Sequence, residues 1–215
     1  MPSTMPLFRS RTDDAIYRPG ARFDGWALRW KDIGEMPADL APVAAVDALR
    51  LLCETGAIRR VPIGVIGPRT AQPDHISAAE ELGRRLGEIG LTLVCGGLGG
   101  VMEAACRGCA SAGGQPIGIL PGEAWEEANP YVAVPIATGL GSARNAVIAR
   151  AALALVAIGG GYGTLSEIAF GLRFGRLVLT MLDAPAVHGS VPCATVPEAI
   201  DRIARRIFAA ESGCA

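Results

Sequence analysis

Lysine is nearly absent from this 215-residue chain, which holds one lysine, Lys31, beside nineteen arginines. A Walker-type nucleotide-binding loop ends in Gly-Lys-Ser/Thr, and none of the glycine-rich stretches of the sequence has that ending. The sequence therefore disfavours a P-loop nucleoside triphosphatase. Any cation that contacts a bound ligand is expected to be an arginine.

The chain also has almost no net charge and lacks long apolar runs. The net charge is −1 and the isoelectric point is about 6.1, so there is no electrostatic reason to expect nucleic-acid binding. The sequence has no run of eighteen uncharged apolar residues, so we expect no membrane span. The first residues lack the basic-then-apolar pattern of a secretory signal, and we expect a cytoplasmic protein.

Groups that bind metals are few. Cys106 and Cys109 form a C-x-x-C pair, but no second pair or nearby histidine completes a zinc site, since His75 and His188 lie elsewhere. We therefore expect no structural metal. The cysteines are scattered through apolar segments, as is typical of buried thiols in a reducing compartment. They are Cys53, Cys95, Cys106, Cys109, Cys193 and Cys214.

From residue 60 onward, apolar strand-like segments alternate with glycine turns and helix-like segments. Such alternation predicts an α/β fold, a Rossmann-like parallel sheet sandwiched between helices. The strands are expected at residues 61–67, 91–95, 115–120, 131–137, 152–158 and 176–182. The helices are expected at residues 75–89, from 101 through 112, from 142, at 165–174 and at 197–210.

The first 59 residues differ from the rest and are predicted to be an N-terminal extension, an arm plus a helix at 42–53, in front of one domain at 60–215. This extension holds five of the eleven aromatic residues. It could be an arm that packs on the core or on a second subunit. It could also be a lid that places Trp26 or Trp30 against a ring of the ligand.

Three glycine-rich turns follow predicted strands, after Cys95, Ala137 and Ile158. In a parallel sheet such turns gather at the carboxyl edge, where ligands bind. The run Gly159-Gly160-Gly161-Tyr162-Gly163 also opens a helix. Backbone N–H groups and the positive end of the helix dipole favour an anion there, most often a phosphate.

The predicted ligand- and phosphate-binding residues lie on these turns and on the turn after the first strand of the domain. They are Gly67, Arg69, Gly96, Gly97, Gly99, Gly100, Thr138, Gly139, Arg144, Asn145, Gly160, Gly161, Tyr162, Gly163 and Thr164. NAD is disfavoured because the Gly96–Gly100 turn follows the second strand and no acidic residue ends the next one.

Glu167 has two interpretations. The spacing Thr164-Leu165-Ser166-Glu167 fits a capping box, in which the glutamate reaches back to the backbone N–H of the cap residue. Alternatively, the carboxylate lies one turn beyond a phosphate site, with Arg144 as the compensating cation. Thr164 would cap the helix or donate its hydroxyl to the phosphate.

Three segments in this order carry a family resemblance: GGLGGVMEAACRGCASAGG, then Thr-Gly-x-Gly-x-x-Arg-Asn, then GGGYGTLSE. The chain resembles the LOG-like (lysine-decarboxylase-like) Rossmann superfamily over residues 60–210. Nothing in the sequence supports pyridoxal phosphate chemistry. The superfamily also includes single-strand DNA-binding proteins, but the acidic balance and single lysine disfavour that activity.

The resemblance is closest to the molybdenum cofactor carrier branch, because of the Arg144-Asn145 pair and Gly159. It implies binding of molybdopterin or its cofactor, a phosphorylated heterocycle, without catalysis. The implied protein partners are a second copy of the chain, as a homodimer or larger, and molybdoenzymes or cofactor-biosynthesis proteins. The alternative is the cytokinin-activating branch, in which Arg144 and Glu167 would be catalytic. Such a phosphoribohydrolase would release the base and ribose 5-phosphate from a nucleoside 5′-monophosphate.

Overall fold

The computed structural model describes residues 6–209, which form two units. One unit contains the described residues up to Arg60 together with those from Asp201 onward, and the other spans Val61–Ile200. Cys214 and the predicted helix end at residue 210 lie outside the described residues.

The first unit contains a five-stranded antiparallel sheet, which the sequence patterns did not predict. Its strands, in the spatial order β4-β3-β2-β1-β5, are β1 (Leu7–Ser10), β2 (Ile16–Arg18), β3 (Ala21–Asp24), β4 (Arg29–Asp32) and β5 (Leu40–Val43). Helix α1 (Ala45–Glu54) follows. It begins later than predicted because Pro42 pairs with Phe8 inside β5.

Aromatic rings close the core of the first unit. The ring of Phe23 lies 5.1 Å from the ring of Trp30 and 4.9 Å from that of Phe208, in edge-to-face geometry. The indole N–H of Trp30 donates to the carbonyl oxygen of Phe208 at 2.7 Å. The end of the described chain is therefore fixed onto the antiparallel sheet.

The second unit is a parallel sheet of seven strands with the order β12-β11-β10-β6-β7-β8-β9. The strands are β6 (Ile63–Ile66), β7 (Leu93–Cys95), β8 (Ile117–Leu120), β9 (Val134–Ala137), β10 (Ala154–Ile158), β11 (Leu177–Met181) and β12 (Val191–Pro192). The helices are α2 (Pro73–Ile89), α3 (Val101–Ser111), α4 (Arg144–Ala151), α5 (Tyr162–Arg173) and α6 (Val196–Phe208), which continues beyond residue 200. The predicted Rossmann-like α/β fold is confirmed, and β12 is an added strand.

The apolar pattern of β10 explains why it is central. All five of its residues are buried, and it pairs with β6 on one side and β11 on the other. A strand covered on both faces needs a continuous apolar run rather than alternation. Among the described residues, no helix is long and apolar enough to cross a bilayer.

Helices α2 and α3 pack on each other through two glycines. A Cβ atom at Gly83 would lie 2.0 Å from the carbonyl oxygen of Ala105, and one at Gly108 would lie 2.0 Å from that of Glu80. The two backbones therefore touch directly. Only glycine at both positions permits this approach.

Candidate functional site

A crevice opens where the strand order reverses. Strands β6 and β10 are neighbours, yet the chain leaves β6 toward β7 and leaves β10 toward β11, so the loops that follow them diverge. Ligands of open α/β sheets bind at such a switch point. The crevice here has a volume of about 400 Å³. It is lined by Gly67, Pro68, Arg69, Leu98, Met102, Pro121, Gly141, Ser142, Arg144, Asn145, Gly161, Gly163, Thr164 and Glu167.

Helix α5 begins three residues earlier than predicted. It starts at Tyr162 with Gly161 as its cap residue, so Thr164 lies inside the first turn. In this register Thr164 is not the cap residue, so the capping-box interpretation of Glu167, one of the two that the sequence left open, does not hold. The Thr164 side chain instead packs against the backbone of Gly160, which has a φ of +132°. Glu167 lies on the second turn, where its carboxylate faces helix α4.

Arg144 and Glu167 meet inside the crevice. The Nη1 atom of Arg144 lies 3.6 Å from Oε1 of Glu167, and the two residues are only 9% and 6% exposed. The Nε atom of Arg144 is buried without a hydrogen-bond partner among the described residues. A buried guanidinium with a spare N–H suits an anionic ligand, because an unpartnered buried donor is costly.

Burial controls the protonation of Glu167. Loss of hydration raises the pKa of its carboxyl from 4.5 to about 7, although the Arg144 charge works in the opposite direction. Near neutral pH, the charged and the neutral forms of the carboxyl group are therefore both populated. Such a group can exchange a proton during binding or chemistry.

Asn145 connects the two helices of the site. Its Nδ2 group donates to the carbonyl oxygen of Gly163 at 3.3 Å and to Oγ of Ser166 at 2.8 Å. Its Oδ1 accepts from Nη1 of Arg144. Both N–H groups are thus engaged within the protein, so Asn145 orients Arg144 and the start of α5 rather than offering a free amide to a ligand.

Several predicted binding residues lie outside the crevice lining. Tyr162 is 92% exposed on the first turn of α5, and the hydroxyl of Thr138 donates to the carbonyl oxygen of Leu120 at 2.7 Å. Gly96 lies beneath Arg144, where a Cβ atom would be 2.6 Å from Nη2. The remaining predicted residues that do not line the crevice are Gly97, Gly99, Gly100, Gly139 and Gly160.

The crevice also has lining residues that sequence reasoning missed. Most of them are apolar or small, and they are Leu98, Met102, Pro121, Gly141 and Ser142; Pro68, which also lines the crevice, lies in the Gly67–Arg69 turn that the sequence had already placed there. Leu98 and Met102 belong to the Gly96–Gly100 turn and the helix after it, and Gly141 and Ser142 precede Arg144 in its motif. Their position within or beside these motifs was the signal by which the sequence could have identified them. Pro121 follows β8 directly and had no motif to mark it.

A larger cavity, of about 640 Å³, lies in the first unit. Its lining includes Asp13, Asp24 and Lys31. Lys31 is paired with Asp24 at 2.7 Å, and Asp13 accepts from the Tyr17 hydroxyl at 3.0 Å. Because the charged groups are largely satisfied by one another, this cavity is a weaker candidate than the crevice.

Residues 60–201 match the SLOG cluster4 family, which is two thirds of the chain. The chain belongs to this family. The LOG-like resemblance expected from the three motifs is thereby confirmed, and the matched residues contain the whole crevice.

Three proteins similar to this chain match it over nearly their full length. An uncharacterised protein of Archaeoglobus fulgidus is 38% identical over 144 residues, which are 67% of this chain and 95% of that protein. The molybdenum cofactor binding protein from the phototrophic bacterium Rippkaea orientalis has a TM-score of 0.64 at 32% identity, covering 67% of this chain and 96% of its own. The molybdenum cofactor carrier protein from Chlamydomonas reinhardtii has a TM-score of 0.64 at 32% identity, covering 69% and 99%.

Proposed function

We propose that this protein is a carrier that binds the molybdenum cofactor, or molybdopterin, in the crevice formed by the loops that follow β6 and β10. The observation that carries the proposal is the buried guanidinium of Arg144, oriented by Asn145 and left with an unpartnered Nε in a crevice at the switch point. The likeness to the cofactor-binding proteins of Rippkaea and Chlamydomonas supports the choice of ligand.

The chemistry of the lining suits a phosphorylated heterocycle. Arg144 and the backbone N–H groups at the start of α5 supply donors for phosphate oxygens. Leu98, Met102 and Pro121 supply apolar surface on which a flat heterocycle can lie. As a carrier, the protein would pass the cofactor to molybdoenzymes or to cofactor-biosynthesis proteins, and we propose that it acts as a homo-oligomer.

One observation favours a second candidate, a nucleoside 5′-monophosphate phosphoribohydrolase. A buried carboxyl group with a pKa of about 7 lies beside a guanidinium, which is an arrangement suited to proton transfer during cleavage of a glycosidic bond. In that case Glu167 and Arg144 would be catalytic. The carrier requires neither group to react.

Two measurements on the purified protein separate the candidates. The first mixes it with molybdenum cofactor released from a molybdoenzyme and follows molybdenum that co-elutes with the protein and the survival of the cofactor in solution. The second incubates it with AMP and measures adenine. We expect retention and protection of the cofactor and no adenine. Release of adenine that is lost in Glu167→Ala would contradict the carrier and support the hydrolase.

Arg144→Ala should weaken cofactor binding by roughly tenfold to a hundredfold, the value of a hydrogen bond from a charged donor. The matched control is Arg173→Ala, which removes an exposed arginine at the far end of α5. Equal cofactor affinity in the wild type and in Arg144→Ala would show that the guanidinium does not hold the ligand.

A further inference from the structure

His75 is a buried side chain that the proposed function does not use. It is 5% exposed and lies in the first turn of α2. Its Nδ1 atom accepts the backbone N–H of Gln72 at 3.4 Å. With Nδ1 as an acceptor, Nε2 is the ring nitrogen that donates to Oδ1 of Asp183, at 2.6 Å.

The ring of His75 packs against the first glycine of the loop that leads to α5. A Cβ atom at Gly159 would lie 2.6 to 2.9 Å from three atoms of the imidazole. Gly159 has a φ of +58°, and its N–H donates to the carbonyl oxygen of Met181 at 3.3 Å. The loop is thus held at its origin by the imidazole and by the end of β11.

Asp183 reaches His75 through an unusual backbone turn. Strand β11 ends at Met181, and Leu182 then adopts a φ of +56°, a left-handed conformation that is uncommon for leucine and costs about 1 kcal/mol. Asp183 itself has a side chain that is 74% exposed. An exposed carboxylate that follows a strained residue and bonds a buried ring is consistent with a positioning contact.

We propose that the hydrogen-bonded pair of His75 and Asp183 positions the glycine loop at residues 159–163 for anion binding, although neither residue lines the crevice. Asp183 fixes the plane of the imidazole, the imidazole fixes Gly159, and Gly159 sets the path of the chain into α5. The role in anion binding rests on the proposed function; the control of loop conformation does not.

The test compares Asp183→Ala, Asp183→Asn and His75→Phe with the wild type. Hydrogen exchange of the backbone amides at residues 159–165 is measured without ligand, and molybdenum cofactor retention is measured separately. Asp183→Ala changes an exposed side chain and is expected to leave the fold intact, so it stays informative even where His75→Phe unfolds. Glu35→Ala, which removes an exposed carboxylate of the first unit, is the control for loss of charge.

We expect Asp183→Ala and His75→Phe to accelerate exchange in residues 159–165 by roughly tenfold, because each loses the hydrogen bond between the side chains at positions 75 and 183. Asp183→Asn retains an acceptor oxygen and should stay close to the wild type, as should Glu35→Ala. Cofactor affinity should fall in the same order as exchange rises.

Unchanged loop exchange in Asp183→Ala would overturn the proposal. So would accelerated exchange together with full cofactor affinity, because the loop conformation would then be irrelevant to binding. If the wild type retains no cofactor while the exchange pattern follows expectation, the proposed function fails and the control of the loop by His75 and Asp183 stands.

Discussion

Under the proposed function, the carboxyl group of Glu167 should make the ligand affinity of the crevice depend on pH. With a pKa of about 7, raising the pH from 6 to 8 would place a negative charge beside the proposed anion site. We expect the affinity for a phosphorylated ligand to fall over this range. In Glu167→Gln that contribution is absent, so the difference between the two proteins isolates it from titration of the ligand itself. Titration calorimetry at several pH values measures it, and parallel pH profiles would contradict the assignment.

The same carboxyl group affects stability. Between the ordinary pKa of 4.5 and the folded value of about 7, the folded state keeps a proton that the unfolded state has released. Raising the pH through this window should therefore lower the free energy of unfolding, by on the order of 3 kcal/mol in total. Urea unfolding of the wild type and of Glu167→Gln at pH 4.5 to 7.5 checks this. Equal slopes with pH would show that Glu167 titrates normally.

At the scale of residues, the sequence predicted the partners of the site better than their geometry. Arg144 and Glu167 were expected to compensate each other, and the structure places them 3.6 Å apart. Residue spacing could not decide whether Thr164 and Glu167 form a capping box. The start of α5 depends on the backbone angles of Gly160 and Gly161, which spacing does not reveal. The role of Asn145 as a connector depends on where Gly163 and Ser166 lie, which is a tertiary fact.

Two glycines of the loop before α5 should respond differently to the same substitution. In Gly160→Ala the new Cβ would lie 2.5 Å from Cβ of Thr164, at a φ of +132° that alanine rarely adopts. We expect a loss of about 1 to 3 kcal/mol in the free energy of unfolding.

Gly161→Ala is the matched variant, because its φ is −125° and nothing lies within 4 Å of an added Cβ. It should fold with near-wild-type stability, but its methyl group would occupy the crevice and weaken cofactor binding. Thermal unfolding and cofactor retention measured on both variants test the pair. Equal stability of the two would refute the steric argument.

At the scale of elements, long periodic segments were predictable and short ones were not. The six strands and the helices expected after residue 60 are all present, with ends shifted by a few residues. Strand β12 has two residues, and β1 to β5 have three or four each, which is too short for an alternating pattern to stand out. Their pairing depends on partners that are distant in sequence.

At the scale of the whole molecule, the first unit should depend on Phe208, which is distant from it in sequence. Phe208→Ala removes a buried ring that contacts Phe23 and Trp30. We expect a loss of about 3 kcal/mol in the free energy of unfolding. Tyr162→Ala, which removes an aromatic ring that is already exposed, should change it by less than about 0.5 kcal/mol. Urea unfolding followed by tryptophan emission compares the two, and similar losses would contradict the cluster.

The class of fold was predictable from the sequence, but the order of the parallel strands was not. Alternating apolar strands and helices indicate a parallel sheet, but the point at which the order reverses depends on which strand the chain returns to. Here β10 returns to the far side of β6, and this choice creates the crevice. The three glycine turns marked the correct edge of the sheet, whereas the apolar lining of Leu98, Met102 and Pro121 became visible only in three dimensions.

The backbone contact between α2 and α3 affects how a complete mutational scan of this protein would look. Gly83 and Gly108 accept no side chain at all, since even a methyl group would overlap a carbonyl oxygen of the other helix. Both positions should therefore reject every replacement, as strictly as Arg144 should under the proposed function, in a selection that reports only on the amount of functional protein. A map of intolerant positions would then show two clusters, the helix-contact glycines and the crevice residues, with equally strong loss of function. Separate measurements of protein abundance and of ligand binding would distinguish them, because substitutions at the glycines should lower abundance alone.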